Sequence, residues 1–344
     1  MSQIKVNNIT NRDATGGPVI SGITTVSSTG YMRLPVGPTE YRGGRGRGIF
    51  GGGATPGTVN SMEYITISTQ SNSFDFGDLT RSVRDFGAVA SSTRGVFGGG
   101  VTGPAVTNVI DFTVISSGGG AIDFGDLTYQ ARGQRGLSSS TRGLFFGGHD
   151  DTPAATRVYF NNINFITIAS LGNASAFGEL DQKLYRVAGL ASPTRGVMSG
   201  GSTPSPTSVD INTIQYITIA STGNTQDFGD LTRIVSGGIG VSNTIRGVFA
   251  GGGTVNNTIE YVTIASLGDA IDFGDLTRST FSLASASSST RGVFAGGDGS
   301  PASFNVIDFI TFASIGNATD FGDLISGLNQ QLTGCSDAHG GLGD

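Results

Sequence analysis

The residues best suited to chemistry in this 344-residue chain are arginines and acids that recur at regular intervals. The arginines open an R-G-apolar-apolar-x-G-G segment at Arg47, Arg94, Arg142, Arg195, Arg246 and Arg291. The acids lie in an F-G-(D/E)-L segment at Asp78, Asp126, Glu179, Asp230, Asp275 and Asp323. A ring of guanidinium groups would bind carboxylates or phosphates. A catalytic site is singular, however, whereas this pair recurs in every repeat. The recurrence favours a structural role, in which each arginine reaches the acid of a neighbouring repeat.

A second group of candidates lies in the longest variable connection, which spans residues 149–162. It contains His149, Asp150, Asp151, Arg157, Tyr159 and Phe160. Loops on a rigid scaffold are the usual location of recognition, and arginine with aromatic residues is typical of a binding hot spot. We therefore predict a binding role, against the alternatives of an idle insertion or a contact with a neighbouring subunit. Two adjacent aspartates fall short of the six to eight oxygens that Ca²⁺ takes, so no metal site is predicted.

The elements that position these residues follow from the spacing of the repeat. Between each arginine and its acid, an aromatic residue opens a β-branched stretch, at Tyr64, Phe112, Phe165, Tyr216, Tyr261 and Phe309. The step from aromatic to acid is the same in all six repeats, and the step from each acid to the next arginine is equally constant. Only the step from arginine to aromatic varies, and it is longest between Arg142 and Phe165. A fixed spacing indicates packed strands and a variable one indicates a surface loop, so all the length variation falls in one class of loop.

Each repeat contains four short stretches with strand character, the one before the arginine being rich in Gly, Ala and Ser. Small residues there indicate an innermost strand, where blades crowd around a central axis. Six repeats of about 48 residues with four strands each predict a propeller. The expected fold is all-β: a six-bladed β-propeller of four-stranded antiparallel blades over residues 41–344, after an extended segment at residues 1–40.

The end of the chain is predicted to close the ring. Residues 328–337 follow the last acid and occupy the place of an innermost strand, but no further strand comes after them. We expect this stretch to return to the first blade and supply its missing strand, which leaves no unpaired edge between first and last blades. Cys335 would then be a small buried residue that fills space between strands, rather than a nucleophile. The constant step from acid to arginine, taken from Asp323, also predicts that His339 is a weakened copy of the repeat arginine.

Two resemblances follow from these features. The Gly-Gly pair that closes the second strand, as at Gly99-Gly100, and the aromatics of the third and fourth strands resemble kelch-type propellers over about residues 45–340. Kelch repeats usually carry Trp in the fourth strand, where this chain has Phe. Residues 289–297 and 305–324 look like repeats of tail-fibre-like virion proteins from phages that infect cyanobacteria. The leading segment, residues 1–40, is similar to the amino-terminal segments of phage fibre proteins, which implies a role in attachment or oligomerisation.

Enzymes built on related architectures have signatures that this sequence lacks. The Asp-box of sialidases, S-x-D-x-G-x-x-W, has the wrong order here and no Trp. Copper-radical oxidases need two histidines, two tyrosines and a Tyr-linked cysteine, but the chain has only His149, His339 and a cysteine placed in a strand. The glycine-rich segments lack the lysine and helix of a phosphate loop. We therefore predict a non-enzymatic protein without a cofactor.

The net charge and the hydropathy of the chain argue against nucleic acids and membranes as partners. The net charge is −6 and no block of Lys or Arg occurs, so no nucleic-acid partner is predicted. No apolar run approaches the length that a membrane-spanning helix needs, which predicts no membrane insertion. The amino terminus lacks the apolar region of a secretory signal, so synthesis in the host cytoplasm is expected.

The resemblance to fibre proteins implies a structural protein of a phage virion, either a tail fibre or a similar appendage. Residues 1–40 would join other virion proteins or form a homo-oligomer, and the loops would bind a host-surface glycan or protein, or another virion component. Two alternatives stay open. An intracellular kelch-like adaptor would be monomeric and would not need the leading segment, whereas a glycan hydrolase would release reducing sugar from host polysaccharide.

Overall fold

A computed structural model describes residues 46–54, 56–152, 157–253, 256–299, 302–327 and 329–343. Within these ranges the chain forms six four-stranded antiparallel sheets arranged as a six-bladed β-propeller. The predicted fold class, blade number and strand count are confirmed. The predicted attachment segment, residues 1–40, lies outside the described residues.

The blades are numbered along the chain and their strands are given from the innermost outward. Blade 1 contains β28 (Thr333–Ser336), β1 (Arg47–Gly51), β2 (Ser61–Thr66) and β3 (Phe74–Asp78). Blade 2 contains β4 (Gly87–Ala90), β5 (Arg94–Gly98), β8 (Val109–Val114) and β9 (Ile122–Asp126). Blade 3 contains β10 (Arg135–Ser138), β11 (Arg142–Phe146), β14 (Asn162–Thr167) and β15 (Ser175–Glu179).

The other three blades repeat this order without interruption. Blade 4 contains β16 (Ala188–Ala191), β17 (Arg195–Ser199), β18 (Thr213–Thr218) and β19 (Gln226–Asp230). Blade 5 contains β20 (Ile239–Ser242), β21 (Arg246–Ala250), β22 (Asn256–Thr263) and β23 (Ile271–Thr280). Blade 6 contains β24 (Ala284–Ser287), β25 (Arg291–Ala295), β26 (Val306–Thr311) and β27 (Thr319–Asp323).

Antiparallel strands place successive connections at opposite ends of the blade, so the propeller has two distinct faces. One face carries the connections between second and third strands and those between blades, and we call it the loop face. The other carries the short turns and is called the turn face. On the loop face, the variable connections of blades 2 and 3 form small hairpins, β6 (Val101–Thr102) with β7 (Ala105–Val106) and β12 (His149–Asp150) with β13 (Val158–Tyr159).

The predicted ring closure is confirmed, because β28 pairs antiparallel with β1 along its whole length. Cys335 lies opposite Ile49 and is buried, and burial raises the pKa of its thiol far above the usual range. The prediction for His339 is wrong. Arg47 already occupies the position of the repeat arginine in blade 1, where its amide donates to Asp337 Oδ1 at 2.8 Å. The residues after Asp337 therefore continue beyond that position.

His339 instead lies at the turn-face end of the propeller axis. Its Nε2 is 3.0 Å from the carbonyl oxygen of Ala90, and it caps a short 3₁₀-helix, Gly340–Leu342. Behind it, the innermost strands surround an axial cavity of about 70 Å³. The terminal segment therefore covers one end of the axis.

Serine hydroxyls join the innermost strands around the axis. Ser138 donates to the carbonyl of Ala90 at 2.9 Å, Ser242 to that of Ala191 at 2.7 Å, and Ser336 to that of Ser287 at 2.6 Å. Neighbouring innermost strands approach too closely for larger side chains, and the hydroxyls satisfy their facing polar groups. This contact explains the small polar residues that marked these strands in the sequence.

A closed cycle of main-chain hydrogen bonds surrounds the axis at the loop face, just before each innermost strand begins. Each amide donates to the equivalent carbonyl of the preceding blade at 2.7–3.2 Å. All members have a left-handed backbone, with φ between 55° and 69°. We call this the axial ring; its members are Asp85, Gly133, Arg186, Gly237, Ser282 and Gln331. Because glycine serves in two blades, the other four side chains are not needed to form the ring.

A second set of contacts between blades uses a polar residue immediately before each third-strand aromatic. These residues are Glu63, Asp111, Asn164, Gln215, Glu260 and Asp308, and all are buried. At the junction of blades 5 and 6, Asp308 accepts from Thr277 at 2.8 Å and forms an ion pair with Arg278 at 2.8 Å. Related ion pairs join Arg81 to Asp111 and Arg233 to Glu260. The spacing of the repeat gave no indication of this set.

Candidate functional site

The six repeat arginines join adjacent blades, but not in the way the sequence predicted. In blade 2, the guanidinium carbon of Arg94 lies 4.7 Å from the ring centre of Phe112, and Nη1 donates to the carbonyl of Ile168 in blade 3 at 2.9 Å. The other five repeat this arrangement, with ring distances of 4.5–5.1 Å and bonds of 2.5–3.1 Å. None of the ion pairs among the described residues joins a repeat arginine to a repeat acid. The aromatic ring holds each guanidinium against a main-chain carbonyl rather than a carboxylate.

The repeat acids mark a different contact, made by their main chain. The amide of Asp126 donates to Asn173 Oδ1 at 3.0 Å, and its carbonyl accepts from Ala174 at 2.8 Å. The equivalent amides of Glu179, Asp230, Asp275 and Asp323 make the same contact with the next blade. The glycine before the acid permits this approach: at Gly274 (φ +145°), a Cβ would lie 2.6 Å from the carbonyl carbon of Gly316. Both predicted sets therefore belong to the scaffold.

The longest variable connection instead assembles a cluster of charged and aromatic side chains on the loop face. His149 and Tyr159 are opposite each other in the β12–β13 hairpin, and their ring centres are 5.5 Å apart. Tyr185, from the connection between blades 3 and 4, packs edge-on against His149 at 4.9 Å. Tyr185 also lies 5.6 Å from Tyr159. Three rings from two connections thus pack together.

Asp151 links the charged members of this cluster. Its Oδ2 lies 3.5 Å from Arg132 Nη1, 3.8 Å from His149 Nε2 and 3.9 Å from Arg157 Nη2. The Arg157 side chain is 44% exposed and donates to the hydroxyl of Tyr159 at 3.3 Å. The structure therefore brings together four of the six residues predicted from this loop.

The variable connection of blade 4 completes the cluster. The hydroxyl of Tyr159 donates to Ser205 Oγ at 3.2 Å, and that of Tyr185 is 3.3 Å from Ser208 Oγ. The Tyr159 hydroxyl consequently joins two adjacent variable loops, and the Tyr185 hydroxyl joins the connection between the blades to the second of them.

The two other predicted residues lie outside this cluster. Asp150 accepts from Gln130 Nε2 at 2.7 Å and from the amide and hydroxyl of Thr152. Phe160 stacks on Tyr129 with ring centres 4.2 Å apart, as part of the contact between blades 2 and 3. Asp150 fixes the loop and Phe160 belongs to the scaffold.

Sequence reasoning missed the base of the cluster, which comes from the connections between blades. Asp85 of the axial ring is fully buried; it lies 3.3 Å from Arg132 Nε and 3.5 Å from Arg135 Nη1. Burial alone would raise the pKa of Asp85, but Arg135, Arg186 and Arg132 hold it below its ordinary value. These connections have a fixed length, so their spacing gave no signal of function.

His149 is uncharged at neutral pH, since burial lowers its pKa to about 4 against the opposing effect of Asp85 and Asp151. Between pH 7 and pH 5, His149 takes up a proton in the unfolded chain but stays neutral in the folded one. We therefore expect this residue to lower the free energy of unfolding by up to about 2 kcal/mol at pH 5. His149→Phe keeps the ring packing and should remove that loss. Urea denaturation of both proteins at the two pH values measures it; an equal decrease in stability on acidification would contradict the assignment.

The cluster has the chemistry of a binding surface, with guanidinium donors beside aromatic rings. Among the described residues, no three His, Cys, Asp or Glu side chains are placed to hold a metal ion, and no helix is long and apolar enough to cross a membrane. Comparison with protein-family models and with curated proteins finds no match to this chain.

Proposed function

We propose that this chain is a non-enzymatic structural protein of a phage virion, a tail fibre or similar appendage, whose propeller presents the cluster of blades 3 and 4 for binding. Residues 1–40 would attach the propeller to other virion proteins, and the bound partner is a host-surface receptor or another virion component. The virion assignment rests on the resemblance of the repeats and leading segment to phage fibre proteins.

The observation that carries the binding role is the joining of two variable loops into one cluster on a rigid scaffold. Length varies only on the loop face, where the longest connection bonds its neighbour through Tyr159 and the connection between the two blades bonds the same neighbour through Tyr185. The arginines and acids that recur in every repeat instead form contacts between blades. Variation in one class of loop on an invariant body is typical of recognition proteins.

Competition for host adsorption tests this proposal. Purified protein should occupy the receptor and reduce adsorption of phage particles to host cells. The double variant Arg157→Ala, Tyr185→Ala should compete roughly 10-fold less well or worse, because a hot-spot residue contributes more than about 1 kcal/mol. Antibody against the propeller should also label particles in electron micrographs.

Thr222→Asp is the matched control, since it changes the net charge by the same amount. Thr222 is exposed in the turn between β18 and β19, on the opposite face, and this variant should compete like the parent. Unlabelled particles would contradict the virion role. Equal competition by the double variant would show that binding occurs elsewhere.

A further inference from the structure

Arg186 is the residue of the loop face that the fold explains least. It belongs to the axial ring with φ 59°, while the equivalent positions in the blades on either side are Gly133 and Gly237. A left-handed backbone is unfavourable for a residue with a side chain, whereas glycine adopts it without that cost. The Arg186 side chain takes no part in the main-chain hydrogen bonds of the ring, although its charge helps to hold the pKa of Asp85 below its ordinary value.

The buried Nε of Arg186 also has no hydrogen-bond partner among the described residues. The nearby carboxylate, Asp85, is already paired with Arg132 and Arg135, and Nη2 of the buried Arg135 has no partner either. Buried donors without acceptors are unfavourable unless a ligand or water satisfies them.

Arg186 is one end of a row of side chains. The guanidinium carbon of Arg186 lies 6.0 Å from the ring centre of Tyr185, which lies 5.6 Å from that of Tyr159, and this in turn lies 6.0 Å from the guanidinium carbon of Arg157. Tyr159 is buried and supports the row from below, whereas Tyr185 and both arginines are partly exposed. The row therefore has a cationic group at each end and one partly exposed aromatic ring, that of Tyr185.

Guanidinium groups and carboxylates are concentrated around this row. Four guanidinium groups, of Arg132, Arg135, Arg157 and Arg186, are close to the carboxylates of Asp85 and Asp151, while His149 is neutral at pH 7. Asp85 and Asp151 are each shared by two or more of these guanidinium groups. Guanidinium groups that share a carboxylate keep further donors for an anionic ligand.

From this arrangement, and resting on the proposed binding function, we infer that the row Arg186–Tyr185–Tyr159–Arg157 binds an anionic saccharide of the host surface. Guanidinium groups take carboxylates or sulfates through paired charge-assisted hydrogen bonds. The Tyr185 ring supplies an apolar face for a sugar ring between them. An acidic protein segment is a different partner, and its binding is a result that would contradict this inference.

Titration of the full-length protein with defined oligosaccharides tests the inference. Oligogalacturonate supplies carboxylates, a sulfated galactan oligosaccharide supplies sulfates, and a malto-oligosaccharide of equal length is the neutral control. Calorimetry should show saturable binding of one or both anionic probes and none of the neutral one. Binding should weaken at least 10-fold in Arg186→Gly and in Arg157→Ala, and the bound probe should compete with host-cell binding.

Arg186→Gly is a sharp variant because glycine is native at the two neighbouring ring positions and Asp85 keeps its ion pairs with Arg132 and Arg135, so the protein should still fold. Lys183→Ala removes a nearby exposed charge outside the row and should bind like the parent. Equal affinity for the neutral probe, or unchanged affinity in Arg186→Gly, would overturn the inference. If neither anionic probe binds while host cells still do, the ligand class is wrong and the proposed function stands. Failure to bind cells or join particles would instead refute the function.

Discussion

A chain that ends at Leu332 should lose its cooperative unfolding transition or melt far below the full-length protein. The truncation removes β28, which supplies all four innermost residues of blade 1 and buries Cys335 against Ile49. It also removes the bond from Ser336 to Ser287 that joins blade 1 to blade 6. The inner edge of β1 and the surfaces that β28 covers would then be open to solvent, so we expect a loss of more than about 4–5 kcal/mol. Thermal and urea denaturation followed by circular dichroism measure it.

A chain that ends at Asp337 is the control for this truncation. It keeps β28 and the bond between Asp337 and the Arg47 amide, and it loses only His339 and the 3₁₀-helix. Its melting temperature should decrease by a few degrees. A peptide of residues 329–344 added to the shorter chain should restore the transition. If both truncated proteins unfold at the same temperature, the closing strand is not what stabilises the ring.

The architecture was predictable because its information lies in spacing. Strands that pack against identical neighbours cannot change length without breaking the register, so the steps from aromatic to acid and from acid to arginine stay constant from repeat to repeat. The phase of the repeat also predicted that the chain end pairs with β1. Spacing reached the wrong conclusion at His339, because the arithmetic could not show that Arg47 already occupied the position.

The partners of the charged residues were not predictable in the same way. A repeat arginine and a repeat acid at fixed separation are equally consistent with an ion pair and with two independent main-chain contacts. The structure has the second arrangement, in which Arg94 meets the carbonyl of Ile168 and Asp126 meets Asn173 through its amide. Sequence shows which residues recur, but only geometry distinguishes a carbonyl acceptor from a carboxylate.

Only part of the candidate site could be predicted from the sequence. Length variation revealed the loop that contains His149, Asp151, Arg157 and Tyr159. The rest of the cluster comes from connections of constant length, where only the residue type differs between repeats. Aligning the repeats at the axial ring would have set Arg186 among glycines and small or neutral residues, apart from Asp85. The residue type at this position, compared from repeat to repeat, would therefore have indicated Arg186, whereas the spacing did not.

The buried ion pair between blades 5 and 6 should be sensitive to loss of its cation. Asp308 is fully buried, and burial raises its pKa even beside Arg278. Arg278→Leu leaves this carboxylate without a cation and should lower the free energy of unfolding by about 3–5 kcal/mol at pH 7. The folded variant binds a proton at Asp308 more readily than the unfolded chain does. Its deficit in urea denaturation should therefore shrink as the pH falls towards 4.

At the junction of blades 2 and 3, the chain has two uncharged residues at the positions equivalent to this pair. There Tyr129 and Asn164 occupy the places of Arg278 and Asp308: the Tyr129 hydroxyl lies 3.1 and 3.0 Å from two main-chain carbonyls that correspond to those bound by Arg278 Nη2. Stacking of Tyr129 on Phe160 likewise corresponds to Arg278 over Phe304. The double variant Arg278→Tyr, Asp308→Asn should thus recover most of the lost stability, to within about 1 kcal/mol of the parent, because replacing both partners leaves no buried charge. If the double variant is less stable than Arg278→Leu, the junctions between blades are not interchangeable, and each depends on contacts beyond the polar pair.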